Sequence, residues 1–393
     1  MVRIGIIGLG NMGQRYLQEI TAGMADADRA EPAVAVESAA ASQTAGRAEI
    51  GAGTAAPLAR VTAVCSGSRE KRERVEQEMP EVLAVSAAEE LLARKEVDAV
   101  VIATPNQTHA ALTRQALLHG KHVLVEKPVG LSLDEIDELD GLARKAGLCF
   151  SVMFQLRVHP AFRELKRLLP ALGDLERICW RVTQYYRPQS YYDGSRSWTG
   201  KWRTDGGGVL LNQAIHQLDL WQHLFGLPDE AVASVRFGAF RDIEVEDQAT
   251  VMFRYRGGLT GTFLATVDEE GTGDRLEVAG RNGRAVLAGD RLTTRIRGEE
   301  RSLVFSDPDR WRKDRMAVVT NFLRGIEEGT PPVSPAHEGK NSLGMVFAAW
   351  LSAWTNRWVS LPVDDRVFQQ RYLALVQGRP GTGAGSAVKI QPC

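Results

Sequence analysis

The sequence predicts a doubly wound α/β domain followed by an α+β domain with an antiparallel sheet. A glycine-rich turn at residues 8–13 directly follows a β-branched run at the start of the chain. Three apolar runs alternate with helical patterns over about the first 125 residues, which is typical of a parallel sheet. Segments between residues 175 and 306 alternate apolar and polar positions, with Gly257-Gly258 and Asn282-Gly283 at hairpin turns.

The first strand leads directly into the pattern G-x-G-x-x-G. Gly8 would permit the tight turn, Gly10 would let a pyrophosphate approach the backbone, and Gly13 would let the following helix pack closely on the strand. The phosphates would then lie at the helix N-terminus, beside Asn11 and Met12. We therefore expect this segment to bind a dinucleotide, with a plain glycine turn as the alternative.

Residues 21–60 interrupt the pattern where a short loop would normally stand. Fifteen of these 40 residues are alanine and none is aromatic, so we expect an insertion that is partly helical or disordered. The second strand ends at Ser66, where an acidic residue would hold an adenosine ribose. A serine with Arg69 and Lys71 nearby would instead accept a 2′-phosphate, which favours NADP over NAD. The alternative is that both bases are solvated charges in the next helix.

The next two strands end in polar residues that would meet at one edge of the sheet. The buried run 97–103 ends in Thr104-Pro105-Asn106, with His109 in the following helix. The run 123–125 ends in Glu126-Lys127-Pro128. Ligands of doubly wound sheets bind at the carboxyl ends of the strands, so Lys127 is a candidate for chemistry, with a solvated loop lysine as the alternative. The candidate cofactor-binding residues are Gly8, Gly10, Asn11, Met12, Gly13, Ser66, Arg69, Lys71, Thr104, Pro105, Asn106, His109, Glu126 and Lys127.

A glycine run at residues 206–208 precedes a helix that the pattern predicts through Phe225. Asn212 and His216 are four residues apart and share a helix face with two further polar residues. Such a polar stripe is often a solvated face, but the glycines allow close approach of a ligand or another backbone. No metal is expected, because no set of histidines and carboxylates has zinc spacing.

The segment 185–203 is rich in aromatic residues and arginine and has no regular period. It could close over a polyhydroxylated ligand by stacking and hydrogen bonding, or it could form a contact between subunits. A second arginine, Arg157, follows a short predicted strand at residues 149–154. The candidate substrate-binding residues are Arg157, Tyr185, Trp202, Arg203, Asn212 and His216.

The balanced composition argues against charged macromolecular partners. The chain has 48 basic and 49 acidic residues, so no net field would attract nucleic acid or an anionic membrane. Its longest apolar stretch, near residues 345–354, is shorter than the roughly 20 residues of a membrane span. The four cysteines are scattered, and the first residues run into strand pattern rather than a signal sequence. We therefore expect a cytoplasmic protein that binds small molecules.

Together these features resemble the Gfo/Idh/MocA oxidoreductase family, which includes glucose-fructose oxidoreductase and inositol dehydrogenase. The resemblance rests on residues 8–13, 104–106, 126–128 and 206–216, in this order, and covers nearly the whole chain apart from the insertion and the tail. It implies an α/β Rossmann dinucleotide-binding domain followed by an α+β domain with a large, mostly antiparallel open sheet. It also implies assembly into a homodimer or homotetramer.

We accordingly place the Rossmann domain at residues 1–128, with residues 21–60 as its insertion. The substrate and oligomerisation domain would cover residues 129–378, and a helix near 337–356 could pack back on the Rossmann domain. Residues 379–393, which contain glycine and proline, would form a flexible tail.

The resemblance further implies hydride transfer between NADP or NAD and a secondary alcohol or ketone of a sugar, nucleotide sugar or cyclitol. The family's lysine corresponds to Lys127 and its acid/base histidine to His216, and both are expected to be catalytic. Many members have an aspartate at the position of Asn212, the third candidate. Asparagine can orient a hydroxyl or Lys127 but cannot accept a proton. A serine and lysine spaced like Ser66 and Lys71 accompany NADP in members that resemble glucose-fructose oxidoreductase.

Two other functions remain open from the sequence. Some relatives hydrolyse glycosides by oxidising the sugar transiently with a tightly held cofactor. A cofactor-binding regulator without turnover is the third possibility, because the acid that Asn212 replaces could be needed for proton transfer.

Overall fold

The computed structural model describes residues 1–23, 35–37, 58–193, 198–271 and 273–377, which form two sheets with flanking helices. The elements up to residue 152 are β1 (Val2–Ile7), α1 (Asn11–Thr21), β2 (Ala35–Glu37), β3 (Ala59–Cys65), α2 (Arg69–Glu78), β4 (Leu83–Val85), α3 (Ala88–Leu92), β5 (Ala99–Ile102), α4 (His109–Leu118), β6 (His122–Val125), α5 (Leu133–Ala146) and β7 (Phe150–Val152). The later elements are α6 (Pro160–Leu168), β8 (Leu175–Val182), α7 (Gln189–Tyr192), α8 (Ile215–Phe225), β9 (Glu230–Phe237), β10 (Glu246–Arg254), β11 (Thr260–Thr266), β12 (Arg275–Gly280), β13 (Gly283–Ala288), β14 (Arg291–Ile296), β15 (Glu299–Val304), α9 (Arg310–Glu328), α10 (Gly339–Thr355), β16 (Val359–Ser360) and α11 (Asp365–Val376).

The first sheet is parallel throughout, with strand order β4-β3-β1-β5-β6-β7. Its central strands are continuously apolar and buried, as parallel strands covered on both faces must be. The sheet extends past residue 128, where the sequence placed the end of the first domain. The reason is that helix α5 carries the chain back so that β7 pairs in parallel with β6.

The second sheet has ten strands in the order β16-β9-β10-β11-β8-β12-β13-β14-β15-β2. Neighbouring strands pair antiparallel except β8 and β11, which are parallel. In β10, Ala249, Val251 and Phe253 are buried whereas the residues between them are exposed. This alternation with a period of two confirms the antiparallel sheet predicted from the sequence.

Three residues of the alanine-rich insertion form β2, which pairs with β15 at the edge of the second sheet. The sequence did not predict this strand. Most of the expected helical or disordered insertion lies outside the described residues, as does the flexible tail expected at residues 379–393.

Helices α9 and α10, near the end of the chain, connect the two halves of the molecule. Val318 and Phe322 of α9 share a hydrophobic core with Ile6 and Leu124 of the first sheet. Helix α10, in the region where a helix packing back was expected, contacts α5 of the first half as well as α8 and β9. Within the described ranges, no helix is long and apolar enough to cross a membrane.

Candidate functional site

The glycine loop is closed on the side of the sheet and open on the side of the cleft. Gly8 has a φ of 98°, and a Cβ there would lie 2.5 Å from the carbonyl oxygen of Ala103. A Cβ on Gly13 would lie 1.7 Å from the carbonyl oxygen of Gly8, so helix α1 packs directly on the turn. A Cβ on Gly10 would meet no described atom within 4 Å. The loop therefore fits a pyrophosphate in front of Gly10, at the start of α1.

A cleft of about 1100 Å³ opens from this loop and lies between the two halves of the molecule. It brings together most of the residues singled out in the sequence. Those that line it are Gly8, Gly10, Asn11, Met12, Ser66, Lys71, Thr104, Pro105, Asn106, His109, Glu126, Lys127, Tyr185, Asn212 and His216. Gly13 lies beneath the loop, where it provides space for the helix.

The adenosine end of the cleft contains Ser66 and Lys71 but not Arg69. The Lys71 ammonium donates to the carbonyl oxygen of Leu9 over 2.8 Å, which holds it beside the glycine loop. The Arg69 side chain is 84% exposed and pairs with Glu73 one turn along α2. Arg69 was therefore wrongly placed at the cofactor, because its position in the first turn of α2 directs it into solvent.

Arg15 also lines the cleft and was missed from the sequence. It lies four residues after Asn11, so it shares the cleft side of α1. This spacing is the signal that could have identified it. Other cleft residues outside the predicted set include Gly67, Leu112, Arg187, Tyr191, Trp198, Gln213 and Trp311.

Glu126 and His109 connect the strand ends to their surroundings. The buried Tyr16 hydroxyl donates to Glu126 over 2.6 Å, and this carboxylate and burial together hold the pKa of Tyr16 well above its usual value. The ring nitrogens of His109 lie 2.7 Å from the carbonyl oxygen of Pro128 and 2.8 Å from that of Thr104. His109 thus ties the ends of β5 and β6 together beneath the cleft.

Lys127 projects from the end of β6, immediately before a cis peptide bond to Pro128. Its ammonium donates to the backbone carbonyl of Asn212, in the other half of the molecule, over 2.7 Å. Burial lowers the pKa of Lys127, although the nearby Glu126 and Asp205 oppose this effect. The amine therefore loses its proton more easily than a lysine in solvent.

The side chain of Asn212 is held by three neighbours. Its amide nitrogen donates to the Asp205 carboxylate over 2.7 Å and to the carbonyl oxygen of Gly207 over 2.9 Å, while its oxygen accepts from Asn106 over 3.0 Å. Asn212 thus joins the two halves of the molecule and presents its backbone carbonyl to Lys127.

Asp205 supplies a carboxylate that the sequence did not reveal. It is almost completely buried and also accepts from the backbone of Gly200 over 2.9 Å. Burial raises its pKa to about 6, whereas Asn212 and the charge of Lys127 act in the opposite direction. Asp205 stands directly before the glycine run, and no sequence pattern distinguishes it from an ordinary loop acid.

His216 lies in the first turn of α8 and is 8% exposed. Its ring meets Phe154 edge to face, with centroids 5.9 Å apart. The buried Nδ1 has no hydrogen-bonding partner within the part of the chain that the structure describes. Burial, together with the charge of Lys127, holds the pKa of His216 well below its usual value. The ring is therefore neutral at ordinary pH.

Other parts of the protein, rather than a ligand, pack closely against the glycines at residues 206–208. A Cβ on Gly208 would lie 1.9 Å from the carbonyl oxygen of Glu246, and one on Gly207 would lie 2.5 Å from the ring of Trp350. The buried Glu246 carboxylate accepts from the backbone of Gly208 and Leu210, each over 3.0 Å. Residues 209–213 form a turn of π-helix before α8, a feature frequent at functional sites.

Three residues expected to bind substrate do not reach the cleft. Arg157 is 3% exposed and forms a bidentate pair with Asp219, so its guanidinium is already occupied. Trp202 is 6% exposed and packs 5.1 Å from Trp350 in the hydrophobic core. Arg203 lies at the surface and donates to the carbonyl oxygen of Val376. These predictions were wrong because an aperiodic segment does not indicate which of its side chains face inward.

Arg187 and two tyrosines form the wall that the segment 185–203 contributes. The guanidinium lies 5.9 Å from the ring centroid of Tyr185 and 5.0 Å from that of Tyr191. Its buried Nε has no hydrogen-bonding partner among the residues described. Tyr185 accepts from Gln217 over 3.2 Å, and burial raises its pKa to about 12. This wall can stack against a ring and donate hydrogen bonds to its oxygens.

Both halves of the chain match known protein families. Residues 2–154 match the model of an oxidoreductase family with an NAD-binding Rossmann fold, and residues 162–286 match the GFO/IDH/MocA C-terminal domain. The chain is 34% identical over 311 residues to the uncharacterized oxidoreductase YdgJ of Escherichia coli K12, covering 70% of this chain and 84% of that protein.

Two further proteins extend the comparison. The myo-inositol 2-dehydrogenase of Thermotoga maritima is 26% identical over 317 residues, covering 75% of this chain and 90% of that protein. The WlbA dehydrogenase of Bordetella pertussis has a similar fold, with a TM-score of 0.73 at 23% identity and coverage of 92% of this chain and 99% of that chain. With both domains matched in order, the chain belongs to the Gfo/Idh/MocA family of NAD-binding oxidoreductases.

Proposed function

We propose that the protein is a dehydrogenase or reductase that transfers a hydride between NADP and a secondary alcohol carbon of a sugar or cyclitol. The observation that carries this proposal is that Lys127 and His216, from different halves of the molecule, line the cleft that contains the glycine loop. The relatives support the substrate class. One is named a myo-inositol 2-dehydrogenase, and the WlbA structure contains NADH and UDP-GlcNAcA.

Lys127 and His216 are suited to act on one reacting oxygen. A bound nicotinamide would supply the hydride acceptor or donor. Neutral His216 would take the hydroxyl proton of the alcohol, and the Lys127 ammonium would donate a hydrogen bond to the alkoxide that develops. Because each group lowers its neighbour's affinity for a proton, the pair holds one proton more easily than two.

Asp205 and Asn212 would act as positioning residues. Asn212 receives the Lys127 ammonium on its backbone carbonyl and fixes Asp205 with its amide. The Asp205 carboxylate favours the protonated form of Lys127. This negative charge lies close to the place where the missing aspartate of many relatives would stand, and it argues against a regulator that has lost its proton-transfer group.

The preference for NADP rests on the chemistry of the adenosine end. No carboxylate follows β3, because Ser66 occupies that position. Lys71 and Arg15 both line the cleft and would offset the charge of a 2′-phosphate.

Absorbance of the reduced nicotinamide, followed with each cofactor and a broad panel of sugars and cyclitols, tests the proposal. Net, substrate-dependent reduction of NADP is expected. Release of free sugar from glycosides without a net absorbance change would instead show a glycosidase. No change with any compound would indicate a regulator. Light scattering of the same preparation would test the homodimer or homotetramer that we include in this proposal.

A further inference from the structure

A second cavity, of about 270 Å³, lies beside the cleft, between the start of α9 and the inner face of the second sheet. Trp311 of α9 lines both spaces. Gln217, which follows His216 in α8, donates its amide to Tyr185 in the cleft and to Asp274 in the cavity, over 3.2 and 2.9 Å. The cavity therefore adjoins the cleft, next to the helix turn that carries His216.

Three polar groups around this cavity have a buried atom without a hydrogen-bonding partner among the described residues. These atoms are Oε1 of Gln217, Oδ1 of Asp274 and Nε of Arg310. The other oxygen of Asp274 accepts from Gln217 and from Gln184, and Gln217 is only 1% exposed. Buried polar atoms are normally paired. Three unpaired ones around one cavity indicate a ligand with several hydrogen-bonding groups.

The walls exclude a phosphate from this space. The carboxylates of Asp274, Asp290, Asp307 and Asp314 line the cavity, and Asp307 pairs with the guanidinium of Arg310 over 3.1 Å and with the ammonium of Lys313 over 2.9 Å. Burial raises the pKa of Asp314 to about 7. With Asp314 counted as neutral, three carboxylates remain, against two cations that are both engaged by Asp307. A diphosphate would meet a net negative field, whereas hydroxyl groups can donate to these oxygens.

The remaining walls are aromatic. Trp180 forms the floor, with 1% of its surface exposed, and Trp311 is 47% exposed at the opening toward the cleft. Flat rings beside carboxylates and amides match the apolar faces and polar rim of a sugar ring. The volume equals that of roughly nine liquid waters, at about 30 Å³ each. One pyranose unit therefore fits.

We propose that this cavity is a subsite for a second, neutral sugar ring, joined by a glycosidic bond to the ring that is oxidised beside His216. The proposal rests on the proposed function and narrows its substrate class. The natural substrate is a disaccharide or a comparable glycoside, and the carboxylates around Arg310 disfavour the phosphates of a nucleotide sugar within this cavity.

Binding to the full chain loaded with NADP tests the subsite independently of turnover. Saturation-transfer NMR and calorimetry would compare cellobiose, maltose, lactose and gentiobiose with glucose, galactose and UDP-glucose. At least one disaccharide is expected to bind about tenfold more tightly than its own monosaccharides and than UDP-glucose, since a pair of hydrogen bonds to charged groups is enough for such a factor.

Two substitutions within the subsite should remove this preference. Asp274→Asn replaces an acceptor with a donor in the same shape, and Gln184→Trp fills the space from an exposed position two residues after the end of β8. Two matched surface variants should keep it. Asp174→Asn changes a carboxylate that is 83% exposed, and Glu176→Trp changes an exposed residue of the same strand.

The subsite is refuted if no disaccharide is preferred, if UDP-glucose binds most tightly, or if the preference survives in both subsite variants. Cofactor reduction measured in parallel separates the two proposals. Sugars that are oxidised without any preference for disaccharides would overturn the subsite alone. A disaccharide that binds tightly, while no sugar is oxidised, would support the subsite and overturn the dehydrogenase.

Discussion

Helix α8 contributes to two buried polar clusters that differ in how their charges are satisfied. In the first, the Arg157 cluster, the guanidinium donates to both oxygens of Asp219 over 2.7 and 2.5 Å and also to Glu338. In the second, the Lys127 cluster (Lys127, Asp205, Asn212 and His216), burial shifts the pKa of each titratable group toward its neutral form.

The difference separates a structural cluster from a reactive one. The donors of Arg157 are all directed at protein acceptors, so a ligand would have to break existing bonds to engage it. Lys127, Asn212 and His216 line the cleft, and burial makes Lys127 easier to deprotonate than a lysine in solvent and keeps His216 neutral, so that it can accept a proton. The following predictions test this distinction, from the largest expected effect to the smallest.

Removing the reactive groups should abolish turnover without weakening the fold. His216→Ala and Lys127→Ala are each expected to lower kcat by about 10²–10⁴-fold, because each removes a group that handles the proton at the reacting oxygen. Cofactor affinity, measured by fluorescence titration, should remain largely intact. His223→Ala is the matched control, since His223 lies on the same helix but contacts Lys166 away from the cleft. Near-normal kcat in both test variants would contradict the proposed site.

Breaking the Arg157 cluster should have the opposite consequence. Arg157→Met leaves the buried Asp219 without its partner, so the free energy of unfolding should fall by about 3–5 kcal/mol in denaturant titrations. Arg256→Met is the control, because its side chain is 91% exposed and its pair with Asp229 should contribute less than about 1 kcal/mol. If Arg157→Met lowered kcat per folded molecule but not stability, the assignment of this cluster as structural would be wrong.

The pH profile should report Asp205 rather than His216. Because the pKa of His216 lies well below its usual value, we expect kcat/KM to fall along an acidic limb near pH 6, where Asp205, whose pKa is about 6, becomes protonated. Asp205→Asn should remove this limb and lower kcat/KM about tenfold above pH 6, since a charge beside Lys127 is lost. Asp174→Asn should leave the limb unchanged.

The pH dependence of stability that Asp205 contributes runs in the opposite direction to this change in activity, so the two can be distinguished. The raised pKa means that folded Asp205 binds its proton more tightly than the unfolded chain does. From this group alone, the free energy of unfolding increases as the pH falls from about 6 toward 3.8. This contribution disappears as the pH rises through 6. A limb in the activity profile that coincides with thermal or spectroscopic unfolding would therefore contradict the assignment.

The same distinction, between side chains that line the cleft and side chains already paired with another residue, applies where the adenosine of the cofactor is expected to bind. Ser66→Asp places a carboxylate where a 2′-phosphate is expected, so the ratio of affinities for NADP and NAD should fall about tenfold in titrations of both cofactors. Arg69→Ala should change this ratio little, because Arg69 pairs with Glu73 in solvent. A clear preference of the unaltered protein for NAD would refute the NADP proposal itself.

Much of the first half could be predicted because parallel sheets follow simple geometry. Consecutive apolar runs place their following residues at one edge, and the structure indeed brings Thr104, Asn106 and Lys127 to the same cleft. The edge strand β2 was missed, since three residues within an alanine-rich insertion carry no strand pattern of their own.

The second half was harder to predict because its site residues lie on a helix and on aperiodic segments. His216 and Asn212 were found through a motif, but their spacing on an ideal helix did not describe the turn of π-helix that contains Asn212. Arg157 and Trp202 belong to the protein interior, whereas Arg187 lines the cleft. Composition alone did not separate these cases, because the same residue types serve both roles.

By itself the sequence determined the family, the two sheets and the glycine loop, since each depends on local periodicity or on the absence of a side chain at a fixed position. Only the tertiary structure decided which groups surround Lys127 and how they change its pKa. Its partner carbonyl at Asn212 and the nearby Asp205 belong to the other half of the chain. Their effect on the pKa of Lys127 depends on burial and distance, which exist only after the two halves have packed together.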